Sequence, residues 1–135
     1  MKHALIVSAI IEKNGYFLFG RKPKDIGPYP NCWLLIGGRA YPEKECLEES
    51  VRREVKEETN LEIKDIEPIF FDEDHRNRKG EMTHLIFLTY LVKYKSGMEK
   101  PGDDIEELKW VKKAELKKIN LSPPSIKLFK YLGWI

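Results

Sequence analysis

The chain has 135 residues, enough for one domain that folds without a disulfide framework. Its 41% hydrophobic and 34% charged residues exclude intrinsic disorder, and no apolar run approaches the ~20 residues that cross a bilayer as a helix. With 24 basic against 22 acidic side chains, the net charge of +2 is too small to bind nucleic acid by bulk electrostatics. An anionic partner must therefore be held by local groups. Cys32 and Cys46 have no metal-motif spacing and read as reduced, inert thiols. A soluble, cytoplasmic protein with no membrane or nucleic-acid partner is expected.

The apolar run Ala4 to Ile11 is followed by Glu12-Lys13-Asn14-Gly15 rather than a small-residue cleavage site, so it reads as a first strand. Asn-Gly is the strongest two-residue turn signal, which makes Ala4 to Lys13 and Tyr16 to Lys22 a hairpin. Pro23 to Asn31, with Gly27, Pro28 and Pro30, reads as a loop. Cys32 to Ile36 reads as a short strand broken by Gly37-Gly38. A polar stretch, Arg39 to Lys44, precedes a helix from about Glu45 to Thr59, which Asn60 stops. Leu61 to Phe71 predicts a strand, Asp72 to Glu81 a charged loop, and Thr83 to Lys95 a long strand. Ser96 to Asp104 is a loop, Ile105 to Val111 a last strand, and Lys113 to Lys118 and Pro124 to Leu132 are short helices. Strands on both sides of one long helix imply a mixed α/β domain.

That helix places acids where apolar residues belong. At about 100° per residue, with Glu54 at zero, Leu47, Val51 and Val55 fall at about +20°, +60° and +100°. Glu58 falls inside this stripe at about +40°, Glu54 lies at its edge, and Glu57 is near −60°. Buried ionised acids cost several kcal/mol each unless a cation pairs with them. Arg53 is one partner, and a hard divalent cation such as Mg²⁺ is another. A solvated acidic helix end is the alternative.

Glu45, seven residues, then Arg53-Glu54-Val55-Lys56-Glu57-Glu58-Thr59-Asn60-Leu61 resembles the second half of the Nudix hydrolase motif. That motif is Gly, five residues, Glu, seven residues, Arg-Glu-apolar-x-Glu-Glu-x-Gly-apolar. Trp33 to Arg39, with Gly37-Gly38, resembles the strand and glycine turn upstream of it. Three departures stand out. Gly38 and Glu45 are separated by one residue more than in the family, Asn60 replaces the last Gly, and Ile36 stands where many members have Pro.

The resemblance implies a single Nudix-type domain over residues 1–135, with its motif at 38–61, folded as an α/β/α sandwich around a mixed curved sheet. It implies a hydrolase that uses Mg²⁺ or Mn²⁺ to cleave a phosphoanhydride in a nucleoside diphosphate linked to another group. A small nucleotide such as a nucleoside triphosphate is the expected substrate. The alternatives are ADP-ribose or a dinucleoside polyphosphate, or a non-catalytic module that binds nucleotide or RNA. The protein is expected as monomer or homodimer. By the resemblance Gly38, Glu54, Glu57 and Glu58 hold metal, Arg53 orients a glutamate, and Glu45 supports the set. Glu54 or Glu58 can serve as base within the helix. Of the late-loop acids Asp103, Asp104, Glu106 and Glu107, Asp104 is the chosen base. Seven acids against four bases between Glu43 and Glu58 agree with this, since such a site repels a polyphosphate unless divalent cations bridge the two. Arg21 and Arg39 are candidate phosphate contacts, and Arg76, Arg78 and Lys79 lie in a loop that can cover the substrate. Trp33, Phe70, Phe71 and Tyr90 read as core aromatics, and His75 and His84, without ligand spacing, as surface or strand histidines.

Overall fold

The computed structural model describes residues 1–27 and 29–135, residue 78 by its main chain alone. Pro28, within the predicted loop, lies outside the described residues. The chain order is β1 (Lys2–Lys13), β2 (Tyr16–Arg21), β3 (Ile36–Ala40), α1 (Leu47–Thr59), β4 (Glu62–Arg78), β5 (Glu81–Ser96), β6 (Glu107–Lys112), a 3-10 helix (Lys113–Lys118) and α2 (Pro123–Tyr131). Asn14 and Gly15 turn β1 into β2 with positive φ at both positions, 52° and 82°, as the Asn-Gly pair predicts.

β1 is the organising strand. It runs parallel to β5 from Lys2 beside Thr83 to Glu12 beside Lys93, and its other edge pairs with β3 and then β2. β4 extends the sheet beyond β5, and β6 extends it beyond β2. Alternate residues of β1 therefore serve two cores. Val7, Ala9 and Ile11 pack with Val51 and Val55 of α1, while Ile10 packs with Leu116, Leu128 and Phe129 on the opposite face. The result is the expected mixed α/β/α sandwich. No helix among the described residues is long and apolar enough to cross a membrane.

Two element boundaries differ from expectation. Cys32 to Ile36 is not a strand: Trp33 and Leu34 make only isolated bridges, to Leu121 and Gly20, and the strand instead runs from Ile36 through Gly37-Gly38 to Ala40. These glycines permit close packing rather than a break, because a Cβ on Gly37 would lie 2.1 Å from the Val7 carbonyl oxygen. Asp72 to Glu81 is not a loop either. β4 continues through it to Arg78, and the turn falls at Lys79-Gly80. Its charges are tolerated because they pair laterally, Asp72 with Lys127, Arg76 with Asp74, and Glu73 with His84. Arg76 is thus a strand residue and Lys79 a turn residue, and the side chain of Arg78 lies outside the described residues.

Gly37→Ala is expected to destabilise the protein by about 1–3 kcal/mol, the usual cost of overpacking. Denaturant midpoints of the variant and the wild type measure this, and an unchanged midpoint contradicts the close-packing role.

Candidate active site

Asn60 ends α1 in the left-handed conformation, φ 66°, and donates its backbone N–H to the Lys56 carbonyl. On the helix, Val51 and Val55 are buried as the wheel requires, and so are two acids, Glu54 and Glu58. Glu57 stays largely in solvent, with its side chain 46% exposed. The two buried acids lie against β3. The backbone N–H of Gly37 donates to Glu58 Oε1 at 2.9 Å, and a Cβ on Gly38 would fall 2.5 Å from Glu54 Oε2. Only a glycine at position 38 lets the Glu54 carboxylate come this close.

Arg53 ties the cluster together. Its Nη2 and Nε donate to Glu45 Oε1 at 2.7 and 3.0 Å, and its Nη1 donates to Glu54 Oε1 at 2.9 Å and reaches Glu57 Oε2 at 3.3 Å. Nη2 also donates to the Arg39 carbonyl at 3.0 Å, which fixes the end of β3 to the helix. The Arg53 guanidinium, with the Ser50 hydroxyl, holds the Glu45 carboxyl below its usual range. The extra residue ahead of Glu45 is absorbed by a turn in which Lys44 and Glu45 both donate to the Tyr41 carbonyl, so Glu45 still reaches Arg53.

The loop after β5 closes the other side. Lys100 N–H donates to the Thr59 carbonyl at 2.9 Å and Gly102 N–H to the Glu58 carbonyl at 3.0 Å, using carbonyls the helix end leaves free. A Cβ on Gly102 would lie 2.2 Å from the Glu57 carbonyl oxygen, so glycine is required at this contact. The loop thereby brings Asp103 and Asp104 to Glu58, with one carboxylate oxygen of each of the three within 4.8 Å of the others. Asp104 Oδ2 lies 3.1 Å from Lys22 Nζ, while its Oδ1 is buried without a hydrogen-bond partner among the described residues. Burial pushes the Glu58 carboxyl up to about 8, and neighbouring Glu54 and Asp104 add to the rise. Burial also raises Glu54, against the pull of Arg53. Convergent carboxylate oxygens, from buried Glu58, half-buried Asp104 and exposed Asp103, are a donor set suited to a hard divalent cation.

Two adjoining cavities of about 460 Å³ each open beside the cluster and share Ile6, Lys22, Tyr29, Gly37, Arg76 and Phe87. The structure thus gathers Arg53, Glu54, Glu58, Glu45, Gly38 and Asp104, with Glu57 at the solvent edge. Arg39 lines one cavity. Arg21 instead pairs with Glu107 on β6, and Lys22, leaving the extended chain on the other side, reaches the cavity wall. Lys22 and Tyr29 escaped the sequence reading because they lie in or beside a proline-rich loop without periodicity. Arg76 donates to the Tyr29 hydroxyl and to Asp74 Oδ2, which steadies the far wall.

A family model described as the NUDIX domain matches residues 2–132. Curated relatives include proteins named nucleoside triphosphatase NudI. The one from Escherichia coli O17:K52:H18 is 29% identical over 140 aligned positions that cover 98% of this chain and 99% of that protein. The one from Enterobacter sp. strain 638 has the same identity and coverage. Among solved structures, the MutT NUDIX hydrolase from Burkholderia pseudomallei superposes with a TM-score of 0.80 at 22% identity, over 96% of this chain and 98% of that one. The MutT protein from Methanosarcina mazei Go1 gives 0.74 at 24%, over 96% and 92%. At these identities the two structures support the fold.

Two outcomes follow from this geometry. Arg53→Lys keeps a charge but loses the planar fork that serves Glu45, Glu54 and Arg39 together. Turnover is expected to fall at least about tenfold while the far-UV dichroism stays unchanged; wild-type turnover removes Arg53 from the site. The second concerns Glu58, whose folded-state pKa of about 8 stands above the ordinary 4.5. The stability it permits without metal is full below 4.5 and is lost as pH rises through 8. In EDTA, Glu58→Gln should therefore gain stability over wild type as pH rises from about 6 to about 9. A gap between the two midpoints that does not change with pH contradicts this.

Proposed function

The chain belongs to the Nudix hydrolase family, matched by its family model over residues 2–132, and on that premise we propose that it hydrolyses nucleoside triphosphates to the monophosphate and pyrophosphate. The observation that carries the reading is the meeting of buried Glu58 with Asp103 and Asp104 beside a cavity bearing Lys22 and Arg76. The names of the NudI relatives, nucleoside triphosphatases, support the choice of substrate. The reading includes Mg²⁺ or Mn²⁺ as the ion, a small-molecule nucleotide without nucleic-acid or membrane partners, a monomer or homodimer, and a cytoplasmic setting. The near-neutral charge of +2 supports the absence of a nucleic-acid partner.

Glu54, Glu57 and Glu58, the Gly38 carbonyl, and Asp103 from the late loop are the groups proposed to hold the ion. When bound, it polarises the phosphoryl oxygens and lowers the pKa of the attacking water. The residues of the chain do the rest. Asp104, through its orphaned Oδ1, holds the attacking water and takes its proton. The water oxygen forms its bond to phosphorus as the bridging P–O bond breaks, and the electron pair of that bond leaves with pyrophosphate. Lys22 sits 3.1 Å from Asp104 Oδ2 and fixes the orientation of that carboxylate. Arg39 at the cavity mouth and Lys22 and Arg76 at its walls supply charge to the phosphates. Arg21, engaged by Glu107, is the weaker of the proposed phosphate contacts. Arg53, with Glu45 behind it, positions Glu54.

Incubation of the protein and Mg²⁺ with a panel of nucleoside triphosphates, ADP-ribose and dinucleoside polyphosphates tests the reading by the products released. Pyrophosphate from a triphosphate is the expected result, with Asp104→Asn lowering turnover by at least about a hundredfold. Cleavage of ADP-ribose alone, or of nothing, overturns the choice of substrate.

A further inference from the structure

The chain has three histidines, far apart in sequence, and the sheet sets all three abreast. His3 of β1 and His75 of β4 are each the cross-strand partner of His84 on β5. His84 Nδ1 lies 3.1 Å from His3 Nδ1, and its Nε2 lies 2.8 Å from Glu73 Oε1. The His75 ring stacks on His84 with centroids 4.6 Å apart. Glu73, His75 and His84 each place one donor atom within 4.8 Å of the others. None of these residues belongs to the carboxylate cluster around Glu58.

We propose that Glu73, His75 and His84 form a second cation site, selective for a borderline transition-metal ion such as Zn²⁺ or Ni²⁺. Imidazole nitrogens suit these ions, whereas Mg²⁺ prefers oxygen. In a tetrahedral shell, two ligands that each sit ~2.0–2.2 Å from zinc stand ~3.3–3.6 Å apart. His84 Nε2 and Glu73 Oε1 now stand 2.8 Å apart, a hydrogen-bond contact that opens by roughly half an ångström to admit the ion. The outer contact also fits. With Nε2 given to the ion, His84 carries its proton on Nδ1 and donates it to His3 Nδ1, the kind of second partner that orients a ligating imidazole. The rings of His75 and His84 stack within 13° of parallel, so their lone pairs lie in separate, nearly parallel planes. Binding requires the exposed His75 to turn about its side-chain bonds.

The site clamps β4, β5 and the start of β1 at one end of the sheet. Asp72, Glu73, Asp74 and Arg76 of β4 line one cavity, and His3 lines the adjoining one. Occupancy thus stiffens the cavity wall at this end of the sheet.

Zinc titration of EDTA-treated, dialysed protein in millimolar Mg²⁺, followed by calorimetry and by melting temperature, tests this. Co²⁺ absorption in the visible range serves as a probe of nitrogen ligation. One equivalent of Zn²⁺ bound well above Mg²⁺ affinity, with a raised melting temperature and a visible Co²⁺ band, is expected. His75→Gln and Glu73→Gln alter exposed side chains, so both are expected to fold, and each should weaken Zn²⁺ binding at least about tenfold. Glu58→Gln should keep it. The proposal is overturned if Zn²⁺ binds no tighter than Mg²⁺, if both β4 variants bind it as wild type does, or if Glu58→Gln abolishes it.

Discussion

The site depends on how closely α1 approaches β3. Gly38 presents only main chain to the helix and the Glu54 carboxylate fills the space where its side chain would stand, while Gly37, pressed against the Val7 main chain, gives its N–H to Glu58. Two acids are thereby removed from water at a cost of several kcal/mol each, which the apolar packing of Val51 and Val55 beside them offsets. The same contact supplies partial compensation, since the Gly37 N–H is a donor that only a nearby main chain can offer.

What the glycines leave unbalanced, the cations divide. Arg53 serves Glu45, Glu54 and Glu57 and satisfies the Arg39 carbonyl, so one guanidinium fixes helix, strand end and motif glutamate together. Lys22 serves Asp104. Among the described residues Glu58 receives one backbone N–H and no ion pair of its own, and it stands beside Asp103 and Asp104. The cluster is thus short of positive charge at Glu58. That shortage explains why burial holds the Glu58 proton to about 8 and why a divalent cation suits the place.

Local chemistry announced some of this. A 3.6-residue period puts Glu58 among Val51 and Val55, Asn-Gly makes the first hairpin, and Asn60 stops the helix. The strand through Gly37-Gly38 was misread because glycine pairs weigh as breaks, whereas here they permit the main-chain contact with Val7 and Ser8. The charged length of β4 looked like a loop because Asp72 and Glu73 find their partners across space, on Lys127 and His84. The histidine row was invisible for the same reason: β1 and β5 lie side by side though His3 and His84 are 81 positions apart. Sequence spacing reports neighbours along a helix or strand and says nothing of register between distant strands.

If burial beside uncompensated acids keeps Glu58 protonated, a divalent cation must displace that proton on binding. Calorimetric titration of Mg²⁺ at pH 7, repeated in buffers of different ionisation enthalpy, counts the protons released. Most of one proton per ion bound is predicted for the wild type, none for Glu58→Gln, and progressively less for the wild type as pH rises past 8. Mg²⁺ binding with no proton release at pH 7 would contradict the account.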